Sequence, residues 1–339
     1  MSRATKGVYI VNLGTPDSTK TGDVRKYLRE FLMDWRVIDI PAVSRWFLIN
    51  LIIAPFRAPK SAEEYKKLWS AKGSPLLYIG LELKEKLQKY LGDEYVVSFG
   101  MRYQNPTLKA SMEVFKNKGI KDLTIIPLYP QYASASTGST IEAITKELGT
   151  WQIIPNLKII STFTANPAFI DAWEEVAKPY LEKDKYDHFV FSYHGLPERQ
   201  ILKGSCNGYC QLSDSCCGNY NQNNYFCYKA QCYETTRQVV KRLGIKEGDY
   251  TVCFQSRLGK TPWIKPYIDT TIDDIIAMGK KRVLAFSPAF VTDCLETNIE
   301  IGETYQEVFL HKGGQKWDLV ESLNTNDAWV KCLATMANG

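Results

Sequence analysis

The chain has 339 residues, 45% of them hydrophobic and 23% charged, with a formal net charge of +5. That is ample material for a core and, by length, for two domains of average size. Lysine and arginine form no stripe, so a nucleic-acid partner is not implied. The nearest thing to a membrane span, 46–56, is too short and contains Asn50 and Pro55.

The first apolar run, Val8–Val11, ends in Asn12-Leu13-Gly14-Thr15-Pro16-Asp17 and reads as a strand followed by a tight turn. Thr21 or Asp23 is placed to cap the next helix, whose apolar face is Val24, Tyr27, Leu28, Phe31 and Leu32. A greasy segment, 35–56, follows with Pro41 and Pro55 inside it. It reads either as a pair of short core helices or as an exposed apolar lip that touches a bilayer or covers a flat ligand. Arg57 stands at its edge. Helices are expected at Ala62–Trp69, Leu81–Leu91 and Pro106–Lys118, and strands at Val96–Phe99, Leu123–Leu128 and Ile159–Phe163. After a helix at Ala168–Leu181 the pattern repeats, with strands near Phe189–Tyr193, Thr251–Gln255, Val283–Ser287 and Asp318–Ser322 and a last helix at Ala328–Met336. No signal segment is visible before the first strand, so a cytoplasmic protein with reduced cysteines is expected.

Short matches support the repetition. Val8–Asp17 lies over Phe189–Glu198 with Leu13 on His194, Val97–Arg102 over Val252–Arg257, and Ile126–Tyr129 over Ser287–Phe290. The fold class expected is α/β: two similar Rossmann-like halves, each a four-stranded parallel sheet flanked by helices. The halves are 1–165, carrying the lip, and 166–339, carrying a cysteine-rich insertion at 205–227, with the last helix packing back on the first half.

The most informative stretch is His188–Arg199, HFVFSYHGLPER. Phe189–Phe191 reads as a buried parallel strand, and ligands of open α/β sheets bind beyond the carboxyl ends of strands. His194 sits there, although a lone histidine in such a loop is more often only hydrogen-bonded. Asp293, Glu296, Glu300 and Glu303, spaced by three, four and three, would share one face of an α-helix. Like charges so placed repel unless protons or cations pass along them. Six of the nine cysteines crowd into Cys206–Cys232, which in a reducing compartment favours a metal or cluster over disulfides.

Together, VNLGTP, LYPQY followed by STGS, SYHGLPER, QSRLGKTPW and FVTDCLET resemble ferrochelatase, in order, from Tyr9 to about Tyr305. The resemblance implies an enzyme that inserts Fe2+, its substrate, into protoporphyrin IX to give haem and two protons. By position His194 and Glu296 match the catalytic pair, which would also meet the iron. Asp293 and Glu300, with Glu303 extending the ladder, match a metal or proton path. Leu13, Arg57, Arg102, Tyr103, Tyr129 and Trp263 match the porphyrin pocket, the arginines suiting propionate carboxylates. The lip becomes a pocket edge and a peripheral membrane contact for a water-insoluble substrate. Some relatives carry histidine at Cys294.

Thiolate tetrads suit an iron–sulfur cluster or structural zinc. The resemblance favours [2Fe–2S], on Cys206, Cys210, Cys217 and Cys227 with Cys216 as alternate for Cys217. Other readings are a chelatase for coproporphyrin III or for cobalt, and a non-catalytic haem- or iron-binding protein on the same scaffold.

Overall fold

A computed structural model of the chain describes residues 5–205, 208–259 and 261–338. The first sheet has the order β2-β1-β3-β4, built from β1 (Lys6–Gly14), β2 (Tyr95–Tyr103), β3 (Asp122–Pro127) and β4 (Asn156–Ile159). The second has the order β6-β5-β7-β8, from β5 (His188–His194), β6 (Tyr250–Gln255), β7 (Arg282–Phe286) and β8 (Lys316–Leu319). All pairs in both sheets are parallel. The centres of both are apolar runs with no solvent access, Val8–Val11 in β1 and Val190–Phe191 in β5. Strands covered on both faces must be apolar at every position rather than at alternate ones. The expected fold class is the one observed.

The chain divides into two compact units. The first comprises 1–129, 134–161 and 330–339; the second comprises 130–133 and 162–329. The helix Pro167–Lys183, which follows β4, therefore belongs with the second sheet. The end of the helix Asp327–Asn338, which follows β8, belongs with the first: Tyr95 bonds Asn338, and Lys158 Nζ donates to the carbonyl of Met336 at 2.9 Å.

Several local expectations need correction. The edge strands β4 and β8 lie earlier than the runs that predicted them, because Phe163 and Val320 are buried residues beyond the strand ends and not strand residues. Thr21 and Asp23 sit inside the first turn of the helix Thr21–Met33, whose N-cap is Lys20 without a side-chain cap. The segment 42–68 is one uninterrupted helical run: Ala42–Phe47, a π-helical turn Leu48–Ile53, and Ala54–Leu68. One face is core, with Ile49, Ala54 and Ala58 fully buried, but Trp46, Phe47, Leu51 and Ile52 are exposed and Phe56 is 79% exposed. Among the described residues no helix is long and apolar enough to cross a membrane.

Strand pairing also supplies the alignment of the two halves. Met101 donates its N–H to Pro106 as Phe254 does to Pro266, which equates Met101 with Phe254. Asn12 is level with Met101 and Tyr193 with Phe254, so Leu13 corresponds to His194, as the sequence match had it. The second match is two residues out, because Phe99 then falls on Val252. The third is one residue out, because Ile126 falls on Phe286. Short apolar motifs repeat at spacings of one or two and slide easily; hydrogen-bond registers do not.

Candidate active site

β5 ends at His194, half-buried, and the chain must turn at once. A Cβ on Gly195 would lie 2.9 Å from the carbonyl oxygen of Gln255 and 3.2 Å from the Trp263 ring, so only glycine fits. The turn is pinned by the Gly195 N–H on that carbonyl at 2.8 Å. It also brings the carbonyl of Gly195 to 2.7 Å from Nδ1 of His194. A carbonyl only accepts, so Nδ1 carries a hydrogen, and in the neutral ring Nε2 is then the acceptor. Trp263, buried, lies with its ring centroid 6.4 Å from that of His194.

Opposite His194 in register is Gln255, the last residue of β6. Ser192 Oγ donates to Gln255 Oε1 at 2.7 Å and so orients the amide. Its Nε2 then donates to the carbonyl of Glu296 and to the carboxylate of Glu300, each at 2.9 Å. Ser256 Oγ adds a second bond to the same Glu300 oxygen at 2.7 Å. Ser256 has a φ of 65°, a left-handed conformation uncommon for a residue with a side chain. Burial pushes the carboxyl of Glu300 above the ordinary carboxylate range and the charge of Glu296 adds to this, outweighing the hydrogen bonds and the nearby His194. His194, Glu296 and Glu300 thus act on one another within the second unit.

The rest of the acidic ladder does not hold. Leu295–Thr304 is a π-helix, with i→i+5 bonding in place of the α-helix that the spacing assumed. In that geometry residues four or five apart remain neighbours, whereas residues seven apart fall on opposite sides. Glu296 and Glu300 therefore stay together, and Glu303 points to the exposed side. Asp293 precedes the helix and is tied to the loop after β8. It accepts from the Ser322 N–H at 3.2 Å and from Asn324 Nδ2 at 3.1 Å. Cys294 is the N-cap, buried, its thiol pushed up by burial and by the charge of Glu296. Gln255, Ser256 and Ser192 were missed in the sequence; their positions at the ends of β5 and β6 were the available signal.

In the first unit Leu13, Arg102, Tyr103 and Tyr129 cluster at the carboxyl ends of β1, β2 and β3. Arg102 is engaged within its own unit: Nη2 binds Asp34 at 2.7 Å and Nε binds Ser139 Oγ at 2.7 Å. Tyr103 donates to the same Asp34 oxygen at 2.9 Å. Burial would raise the carboxyl of Asp34, but bonds from Ser139, the Arg36 N–H and Tyr103 and the charge of Arg102 bring it below its ordinary value. Burial pushes the phenol of Tyr129 up. Arg57 lies exposed beside Phe56.

In the insertion Cys206 lies outside the described residues. No disulfide forms among the eight described cysteines. Cys216 Sγ is 3.6 Å from Cys217 Sγ, Cys217 is hydrogen-bonded to Cys227, and Cys210 interacts with Cys216. The Gln211 N–H points at Cys216 Sγ at 3.4 Å. Cys227 caps the helix Tyr228–Leu243, and its thiol falls to about 6, chiefly through the bond from Cys217 and then through the helix N–H groups of Ala230 and Lys229. A cavity of about 230 Å³ opens beside Cys210, Cys216 and Cys227. Still, among the described residues no group of three or more His, Cys, Asp or Glu side chains is arranged to hold a metal ion.

Residues 5–339 match the ferrochelatase family. A ferrochelatase of Legionella pneumophila is 44% identical over 333 residues, 98% of each chain. The chain belongs to the ferrochelatase family. A ferrochelatase of Coxiella burnetii is 38% identical over 98% of this chain and 92% of its own. SirB from Bacillus subtilis with Fe3+ shares the fold at a TM-score of 0.56 and 9% identity, covering 98% of this chain and 94% of that one. The ferrochelatase motifs in the sequence thus named the right family.

Proposed function

We infer that the protein inserts Fe2+ into protoporphyrin IX, releasing haem and two protons, and that His194 is the base. The observation that carries this is the Gly195 carbonyl on Nδ1, which in the neutral imidazole makes Nε2 the acceptor, with Glu296 and Glu300 near by. A pyrrole N–H is a feeble acid, so its proton must pass to a positioned base as the metal enters. Nε2 takes the proton; Glu300, whose carboxyl is already biased toward the protonated form, accepts it next; Glu296 holds the incoming cation. Charge balances: two protons leave as one divalent ion is bound. The test is anaerobic turnover of Fe2+ and protoporphyrin, with coproporphyrin III and Co2+ as competitors. A His194→Ala variant that still forms haem at the parent rate sinks the reading, and the same rate in both would mark a non-catalytic binder.

We further propose that Leu13, Arg57, Tyr103, Tyr129 and Trp263 contact the macrocycle, with Arg57 on a propionate. Arg102 acts there through Asp34 and Ser139 rather than as a free cation. The exposed face of 35–56 docks this cytoplasmic protein peripherally on a bilayer, supported by a continuous apolar surface at Val43, Phe47, Leu51, Ile52 and Phe56.

For the insertion, an all-sulfur donor set with a backbone N–H aimed at one sulfur and one thiol biased toward thiolate suits a [2Fe–2S] cluster in its chemistry. Cys206, Cys210, Cys217 and Cys227 would hold it, and Cys216, next to both Cys210 and Cys217, is the alternate. The visible spectrum of protein purified without air distinguishes a cluster from zinc, which has no such bands.

A further inference from the structure

The cysteine-rich insertion follows the active-site histidine by one short helix, and a side chain at its far end reaches back to that histidine. Tyr228 follows Cys227 directly and begins the helix Tyr228–Leu243. Its ring is buried, and its hydroxyl donates to the backbone carbonyl of His194 at 2.8 Å. That carbonyl is the last of β5, and the next one, on Gly195, fixes the imidazole tautomer. The phenol therefore anchors the hinge from which the imidazole hangs.

The other side of Tyr228 is equally constrained. Cys227 bonds through its N–H to Asn224 at 2.8 Å and through its carbonyl to the Gln231 N–H at 2.9 Å. The fully buried Gln231 clamps the end of the insertion, donating to the carbonyl of Tyr225 and accepting from the N–H of Tyr132. The phenol also interacts with the buried thiol of Cys232 on the next turn. With the helix start held at so many points, a displacement of Cys227 has no slack to absorb it and moves the Tyr228 hydroxyl.

We propose that Tyr228 is a positioning residue that aligns His194 and transmits to it the state of the thiols around Cys227. The proposal rests on His194 being the acting base. Tyr228→Phe removes one oxygen and keeps the ring, so folding is preserved. The expected result is a kcat about tenfold lower, equivalent to roughly 1.4 kcal/mol, with KM for protoporphyrin within about twofold. A merely structural role would lower the melting temperature and leave kcat alone.

The second readout needs no turnover. In nitrogen-labelled protein the Nδ1–H signal of His194 is identified by its loss in His194→Ala. It should move or broaden in Tyr228→Phe and in Cys217→Ser, and Cys217→Ser should add nothing in the Tyr228→Phe background. An unchanged signal and kcat in Tyr228→Phe, beside an inactive His194→Ala, overturns this proposal and leaves the base intact. A Cys217→Ser effect that persists in the double variant shows that the route bypasses Tyr228 and also overturns it. An active His194→Ala removes the base itself, which is a separate failure.

Discussion

The two units repeat one scaffold and use it for opposite purposes. Each has the strand order of a four-stranded doubly wound sheet, a left-handed residue beyond its second strand (Gln104 and Ser256, both with φ 65°), and a π-helical segment after its third. Each also buries a carboxylate near those strand ends. In the first unit Asp34 is held below its ordinary value, by hydrogen bonds and by Arg102 that outweigh burial. In the second, burial wins and Glu300 is held above its own. A satisfied carboxylate is structural; one kept short of compensation is available to exchange a proton. The same architecture thus holds one acid below and one above its ordinary value by what surrounds each; on the function proposed above, this would separate a binding half from a reactive half.

The largest test of that contrast lies at the equivalent positions Leu13 and His194. Replacing His194 with Ala should cost on the order of 10²–10⁴-fold in kcat, as expected for loss of a general base. Leu13→Ala should act on KM for the porphyrin instead. Equal kcat losses at both positions, measured by haem formation, would erase the asymmetry.

Next in size is Glu300→Gln, which keeps an acceptor for Ser256 and Gln255 but cannot take a proton. Turnover should fall by roughly 10–100-fold. Stability should move the other way. A carboxyl raised on folding binds more protons in the native state, so its contribution is fully present below the ordinary carboxylate value and lost as pH rises through the raised one. The variant should therefore melt higher than the parent at neutral pH and lose that slope. A lower melting temperature there would show that Glu300 is structural, like Asp34.

Asp34→Asn should give the mirror image. Here the native carboxyl is depressed, so its stabilisation is present above its ordinary value and lost as pH falls through the lowered one. Removing the charge that faces Arg102 should cost about 1–3 kcal/mol at neutral pH, read by denaturant unfolding, and little of that at low pH.

How far this could be read from the sequence follows from what each signal depends on. The central strands were legible because a strand buried on both faces must be apolar throughout, as Val8–Val11 and Val190–Phe191 are. The edge strands were not, because Phe163 and Val320 carry the same apolar signal from beyond the strand ends. His194 was legible from its place at a strand end. The acidic ladder was half legible: composition shows the acids, but nothing in the residues announces i→i+5 bonding, so an α-helical period put Glu303 and Asp293 in line with Glu296. Ser192, Gln255 and Ser256 carry no motif of their own chemistry; only the β5–β6 register shows that they hold Glu300. The insertion has no periodicity, and its thiol contacts come from turns that composition does not specify.

The smallest expected effect concerns surfaces. In the second unit exposed apolar residues such as Leu202, Leu258 and Met278 are scattered along the chain, which is ordinary for a soluble surface. In the first, Val43, Trp46, Phe47, Leu51, Ile52 and Phe56 gather on one helical run, 42–68, while others, such as Leu81, Tyr90 and Ile153, lie elsewhere. Each side chain fully inserted into an apolar phase contributes at most about 1.5–3 kcal/mol, and an interfacial helix inserts only partly. Changing Ile52 and Phe56 together to Ser should therefore weaken vesicle binding by about tenfold, roughly 1.4 kcal/mol, while kcat in detergent stays within about twofold. The same pair of changes at Leu202 and Leu258 should leave vesicle binding where it was. Equal losses from both pairs would mean that the contiguity of the apolar face in the first unit has no role in docking.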